Sequence, residues 1–302
     1  MSKKLKNIIC LGGGNAMPKA VLAGLKKYPV NLSVICAMLD SGASAGRERE
    51  IYKTNISFGD IRRAFLALSG ASQDVKDAFN VRFKNGPYAG AVVANILGTA
   101  VAKEGDYEKA LRVYGEVFKI SSRYHILPST LDDATLYAEL ENGQIIKGEA
   151  NIDVPKHNSK ISKVYLKPKP GAYPEAVEAI KKADLIIIGP GDLYSSLMQI
   201  LLIDGISAAI NKSKAKKVYI CNIMTKKGET DGFSVLDFTN EIEKYLKGRV
   251  DFIIHNNKEG NVRINDDLKN NKKFIGKNLL KSGTVEHNPN KLAKIILKLC
   301  KL

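Results

Sequence analysis

The sequence has no apolar run approaching the eighteen or more residues of a membrane-spanning helix. Its basic start, "MSKKLKNIICLGGG", carries too short an apolar stretch for a secretory signal and no cleavage site. The expectation is a soluble cytoplasmic protein with no membrane partner. Cysteine is scarce: Cys10, Cys36, Cys221 and Cys300 show no CxxC spacing and no histidine nearby. That argues against structural zinc, and the four read as small buried hydrophobes kept reduced. Histidine is equally scarce. His125, His157, His255 and His287 stand in no motif suited to a general base and read as structural or exposed. Repeats, low-complexity tracts and linkers are absent.

Positive charge is plentiful: the formal net charge is +16. The lysines are scattered, with a denser tail from residue 265 onward, and aromatics do not interleave with them. Nucleic acid is therefore disfavoured as a partner. A lysine-rich background is the plain reading, and a basic cleft drawing a polyphosphate ligand is the second.

Apolar residues make up 44 % of the 302, enough to bury a core. Compact apolar runs ("NIICLG", "NLSVICAML", "DLIIIG", "KKVYICN", "VDFIIHN") alternate with stretches of helical periodicity ("AMPKAVLAGLKKY", "GDIRRAFLALSG", "AGAVVANILGTAVAK", "PEAVEAIKKA", "DFTNEIEKYLK", "NKLAKIILKLCKL"). Between the two sets lie "ATLYAEL" and "IIKGEANI", joined by Asn142-Gly143, a hairpin signal, with "SKVYLKP" grouped beside them. This predicts a Rossmann-like three-layer α/β/α fold with a mostly parallel sheet, one domain over 1–302, and a small β-hairpin insert at about 130–165.

Four polar loops follow predicted strands. Gly12-Gly13-Gly14-Asn15 sits where a strand gives way to a helix, so unpaired N–H groups can meet an anion and glycine permits close approach. The loop is not a dinucleotide fingerprint, since Met17 occupies the third glycine position; NAD is not an expected ligand. "LDSGASAGRER" brings Asp40, Ser44, Gly46 and Arg47, whose guanidinium suits a phosphate. "FGDIRRAF" follows, with Asp60 placed to cap a helix. "IGPGDLYSS" repeats the physics of the first loop, and "CNIMTKKGETDG" closes the set. Loops 12–15, 40–47, 189–196 and 222–230 are expected to converge on one edge of the sheet and hold a nucleotide or another phosphorylated ligand.

The segments "LGGGNAMPKAVLAGLKK", "DSGASAGRER", "GDIRRAFLALS", "HILPST", "IIKGEANI", "ADLIIIGPGDLYSSL", "CNIMTKKGETDGFS" and "VDFIIHNN" fall in the order seen in the YvcK/CofD-like family, which the chain resembles over roughly residues 7 to 300. "HILPST", "KGEANI" and "MTKKGETDG" make it more similar to the gluconeogenesis factor branch than to the 2-phospho-L-lactate transferase branch. The first branch implies a regulatory protein binding UDP-sugars, notably UDP-N-acetylglucosamine, and linked to carbon metabolism and cell shape. The second implies transfer of a phospholactyl group from a nucleoside diphosphate adduct to a deazaflavin, with magnesium. The positions that match the family are Gly12, Gly13, Gly14, Asp40, Gly42, Ser44, Gly46, Arg47, Gly59, Asp60, Arg62, Asn95, Gly189, Pro190, Gly191, Tyr194, Ser196, Asn222 and Thr225, and the resemblance implies a ligand role for all of them but Gly42 and Gly59; Asn15 and Ser195 join them from the same loops. Catalytic residues are left unassigned. Magnesium is the one candidate cofactor, with Asp40 its one candidate ligand, and a homo-oligomer stays open. The chain departs from the family at Asn15-Ala16 (usually Thr-Gly), Asp40-Ser41 (usually paired aspartates), Ala91 (a histidine position) and Glu286-His287-Asn288 (often Arg-His-Asp). With few carboxylates in these loops, binding is preferred over metal-assisted transfer.

Overall fold

The computed structural model describes residues 4–103, 105–258, 260–265, 268 and 270–301, the side chains of Ala43 and Ser44 excepted. The strands are β1 (Asn7–Gly12), β2 (Asn31–Cys36), β3 (Tyr124–Pro128), β4 (Thr135–Leu140), β5 (Ile145–Lys147), β6 (Ile161–Lys167), β7 (Leu185–Ile188), β8 (Lys216–Ile220), β9 (Phe252–Asn256) and β10 (Phe274–Lys277). Seven form a parallel sheet in the order β10-β9-β8-β7-β1-β2-β3. The chain winds outward from β1 to β3, then returns to the middle and winds the other way from β7. The reversal lies between β1 and β7, and ligands of such sheets bind outside the carboxyl ends of the strands at that point.

The central strands are apolar on both faces because both are covered. Ile9 and Leu11 of β1 face a layer with the helices 174–181, 206–212 and 235–246. Ile8 and Cys10 face the other layer, with Leu22, Phe65, Tyr114 and Leu292 from the opposite helices. The expected three-layer α/β/α arrangement is thus observed. All four cysteines are buried and unpaired.

The insert is a small antiparallel sheet in the order β5-β4-β6. Its turn carries Gly143 at φ +82°, the left-handed conformation that glycine adopts freely. Leu136, Ala138 and Leu140 of β4 alternate inward and join the first layer.

Several elements differ from the expectation. Residues 43–52, taken as loop, form a helix whose polar "AGRERE" content shows no apolar stripe. Within it a Cβ at Gly46 would lie 2.0 Å from the Ser41 carbonyl carbon, so only glycine lets the helix pack on its own entry loop. In "KGEANI" the strand stops at Lys147, and Glu149–Asp153 is a short helix after Gly148 at φ +92°. The apolar stretch after residue 192 breaks at Gly205 (φ +99°) into separate helical pieces. Strands β3 and β10 were not foreseen: one ends in a proline and the other sits among lysines and asparagines.

Candidate functional site at the sheet switch point

Because every strand of the main sheet is parallel to its neighbours, the four loops lie on one edge, and β8, β7, β1 and β2 are consecutive. Among the described residues, a cavity of about 380 Å³ opens there. Asn15, Pro190, Gly191, Asn222 and Thr225, all singled out from the sequence, line it. Lys19, Met224, Lys226, Glu286 and His287 complete its polar and apolar walls.

The glycine loop is shaped by close approach. A Cβ on Gly13 would stand 2.1 Å from Asp60 Oδ2 and 3.2 Å from Ala37 Cβ, and Gly14 has φ +63°. Asp60 does not cap its helix, which begins after Phe58 without a side-chain cap. It accepts a hydrogen bond from the Gly14 N–H and pairs with Arg63. Burial raises the Asp60 carboxyl despite that pair, and Asp40 adds to the rise. At Gly12 an added Cβ would press on Met17 at 3.1 Å, so Met17 packs where a dinucleotide loop keeps a third glycine.

The Gly189-Pro190-Gly191 loop is held by side-chain amides. The Gly191 N–H donates to Asn222 Oδ1 (3.3 Å), and Asn222 Nδ2 returns a bond to the Gly191 carbonyl (2.9 Å). Gly189, at φ +75°, donates its N–H to Leu11 (2.9 Å). Gln199 Oε1 accepts from the Met38 and Leu39 N–H groups, tying the helix after β7 to the end of β2. Tyr194, Ser195 and Ser196 are buried. Tyr194 donates to Glu241 (3.3 Å), and Ser195 Oγ lies within bonding distance of Asp153 and Glu229.

Two charge clusters escaped the sequence reading. Lys226 pairs with Asp153 of the insert, with Asp192 (3.3 Å) and with buried Glu229 (3.0 Å). Burial pushes Glu229 up to about 7 even against the Lys226 charge, while the carboxylates push Lys226 up. In the second cluster Glu149 shares a hydrogen bond with Asp40 and accepts from the Ser41 N–H (3.2 Å). Burial, with Asp40 and Asp153 nearby, pushes Glu149 up to about 9. Lys226 and Glu229 sit three apart in "KKGE", a visible signal; Glu149 lies in "IIKGEANI", expected as strand, and Asp153 directly follows it.

The remaining candidates lie elsewhere. Arg47 is exposed, does not line the cavity, and donates to the Ala89 carbonyl (2.6 Å). Arg62 and Asn95 are buried between helices; Arg62 donates to Asn80 (2.6 Å), and Asn95 Oδ1 has no partner. The Ser44 side chain falls outside the described residues. A second cavity, of about 430 Å³, is lined by Lys258, Lys281 and Lys291.

The candidate metal ligand Asp40 accepts from the Gly42 N–H (2.7 Å) and from Glu149. Among the described residues no group of three or more His, Cys, Asp or Glu side chains is arranged to hold a metal. With Asp60 engaged by Arg63, this arrangement does not offer magnesium a donor set.

A doubly wound parallel sheet with a cavity at its switch point defines a protein of the three-layer α/β/α class. The family described as 2-phospho-L-lactate transferase CofD matches residues 8–295. The chain belongs to that family. It is 41 % identical over 252 residues to the gluconeogenesis factor of Listeria innocua (82 % of this chain, 76 % of the relative). With the putative gluconeogenesis factor of Aquifex aeolicus it shares 34 % over 325 residues (98 % and 97 %). A crystal structure of a Bacillus halodurans protein, described as a member of the UPF0052 family, superposes with a TM-score of 0.91 at 33 % identity, covering 98 % of this chain and all of that one. No described helix is long and apolar enough to cross a membrane.

Proposed function

We propose that this chain is a nucleotide-sugar-binding regulatory protein of the gluconeogenesis factor type, linked to carbon metabolism and cell shape, and that it binds a UDP-sugar such as UDP-N-acetylglucosamine across the switch point. The observation that carries this reading is the cavity at the switch point, with Asn15 of the glycine loop and Pro190 and Gly191 of the loop after β7 in its wall. Main-chain amides suit a diphosphate without a lysine or a metal. The gluconeogenesis factor names of the relatives support the same reading.

Binding is favoured over group transfer by the state of the carboxylates. Asp40, Asp60, Asp153 and Glu229 are each engaged by a protein donor rather than held ready as a base. A thermal-shift panel of UDP-sugars, UDP, GDP and NAD, with and without magnesium, tests the reading. UDP-sugars should raise Tm most, without magnesium, and NAD not at all. Stabilisation by GDP alone, dependent on magnesium, would favour the transferase branch instead.

A further inference from the structure

The cavity contains two lysines, and each already faces carboxylates of this chain. Lys19 pairs with Glu286 (3.3 Å), and Lys226 is surrounded by Asp153, Asp192 and Glu229. Carboxylates outnumber the two lysines around the cavity, so it suits an uncharged part of a ligand better than a phosphate, and the diphosphate is left to loop amides. Its walls agree: Met224 and Val285 are 38 % and 52 % exposed, large apolar side chains that a flat ring would cover.

One polar atom is out of place in such a pocket. His287 Nε2 is buried and has no hydrogen-bond partner. Buried side-chain polar atoms are nearly always paired, because stripping water from one without replacing the bond costs free energy. The His287 ring donates to the Cys221 carbonyl, and burial lowers it to about 4, so at neutral pH it is an uncharged imidazole. Such a ring has one N–H and one lone pair. With the N–H on Cys221, the lone pair at Nε2 is left as an acceptor beside the cavity.

We infer that His287 reads the base of the bound nucleotide: the ring lies between Met224 and Val285, and Nε2 accepts a hydrogen bond from a ring N–H. The inference rests on the nucleotide-sugar reading and adds to it the orientation of the ligand, base toward residues 285–287 and diphosphate toward the glycine loop. A uracil ring supplies a suitable donor at N3.

Calorimetry at pH 7.5 tests this with UDP, UDP methylated at N3, and inorganic pyrophosphate, on the wild type, His287→Ala and His287→Gln. The wild type should bind UDP at least about tenfold more tightly than its N3-methyl analogue, the discrimination expected when a polar site loses its partner. His287→Ala should weaken UDP about tenfold and bind the two nucleotides alike, with pyrophosphate affinity unchanged. His287→Gln, which keeps a donor for Cys221 and an acceptor, should recover part of the discrimination and guards against a folding defect in the alanine variant. UDP binding that ignores His287, or discrimination that survives its removal, would overturn the inference while leaving the functional reading intact. No binding of UDP to the wild type would overturn both.

Discussion

Replacing Lys226 with methionine keeps the length of the side chain and removes the charge that three carboxylates share. Glu229 decides the cost. Its side chain is fully buried, and its carboxyl stands at about 7 against an ordinary 4.5. At 1.36 kcal/mol per pKa unit, the folded state already disfavours the ionised form by roughly 3 kcal/mol. Removing one partner of a buried ion pair costs about 3–5 kcal/mol when the remaining charge cannot escape. Here it can escape by taking a proton. A carboxyl whose folded pKa exceeds its unfolded one gives its full stabilising contribution below pH 4.5 and loses it as pH rises through about 7. Proton uptake caps the penalty on Glu229 at about 5 kcal/mol at pH 8, of which the wild type already carries roughly 3, so Lys226→Met should cost about 1–2 kcal/mol more at pH 8 than at pH 5.5, where Glu229 is largely protonated in both proteins. Adding Glu229→Gln should restore most of the loss at pH 8. Urea unfolding of the wild type, Lys226→Met and the double variant at both pH values measures this. An equal cost at the two pH values, or a double variant no more stable than Lys226→Met, would refute the reasoning.

Other outcomes follow from the same geometry. Gly13→Ala forces a Cβ against Asp60 and Ala37; it should cost about 1–3 kcal/mol in a urea titration and abolish UDP-sugar binding by calorimetry. Arg47→Ala should change nucleotide affinity less than about twofold, because the guanidinium is spent on Ala89 outside the cavity; a tenfold loss would return Arg47 to the phosphate role expected from the sequence. Asn222→Ala removes both bonds to Gly191 and should lower stability by about 2 kcal/mol in urea unfolding, at roughly 1 kcal/mol per hydrogen bond, and weaken UDP binding by loosening the loop in the cavity wall. Glu149, at about 9, is protonated in the fold and ionised in the unfolded chain between pH 4.5 and 9, so wild-type stability should fall across that range. In Glu149→Gln the fall should be shallower.

Buried strands were plain in the sequence because "DLIIIG" and "NIICLG" admit no amphipathic alternative, and the glycine loops after them marked the ligand edge. What could not be read was set by distance along the chain. Lys226 meets Asp153 from 73 positions away, a pairing no local pattern encodes. The helix at 43–52 lacks the apolar stripe that identifies a helix, since its packing relies on Gly46 rather than on large side chains. His287 stands alone among polar residues, and only the return of the chain beside β8 brings it to the cavity.

A crystal structure with UDP-N-acetylglucosamine tests the central claim most directly. The expected result is density with the diphosphate along Gly12–Asn15 and the base between Met224, Val285 and His287. Ligand density in the cavity of Lys258, Lys281 and Lys291, with the switch-point cavity filled only by water, would contradict it.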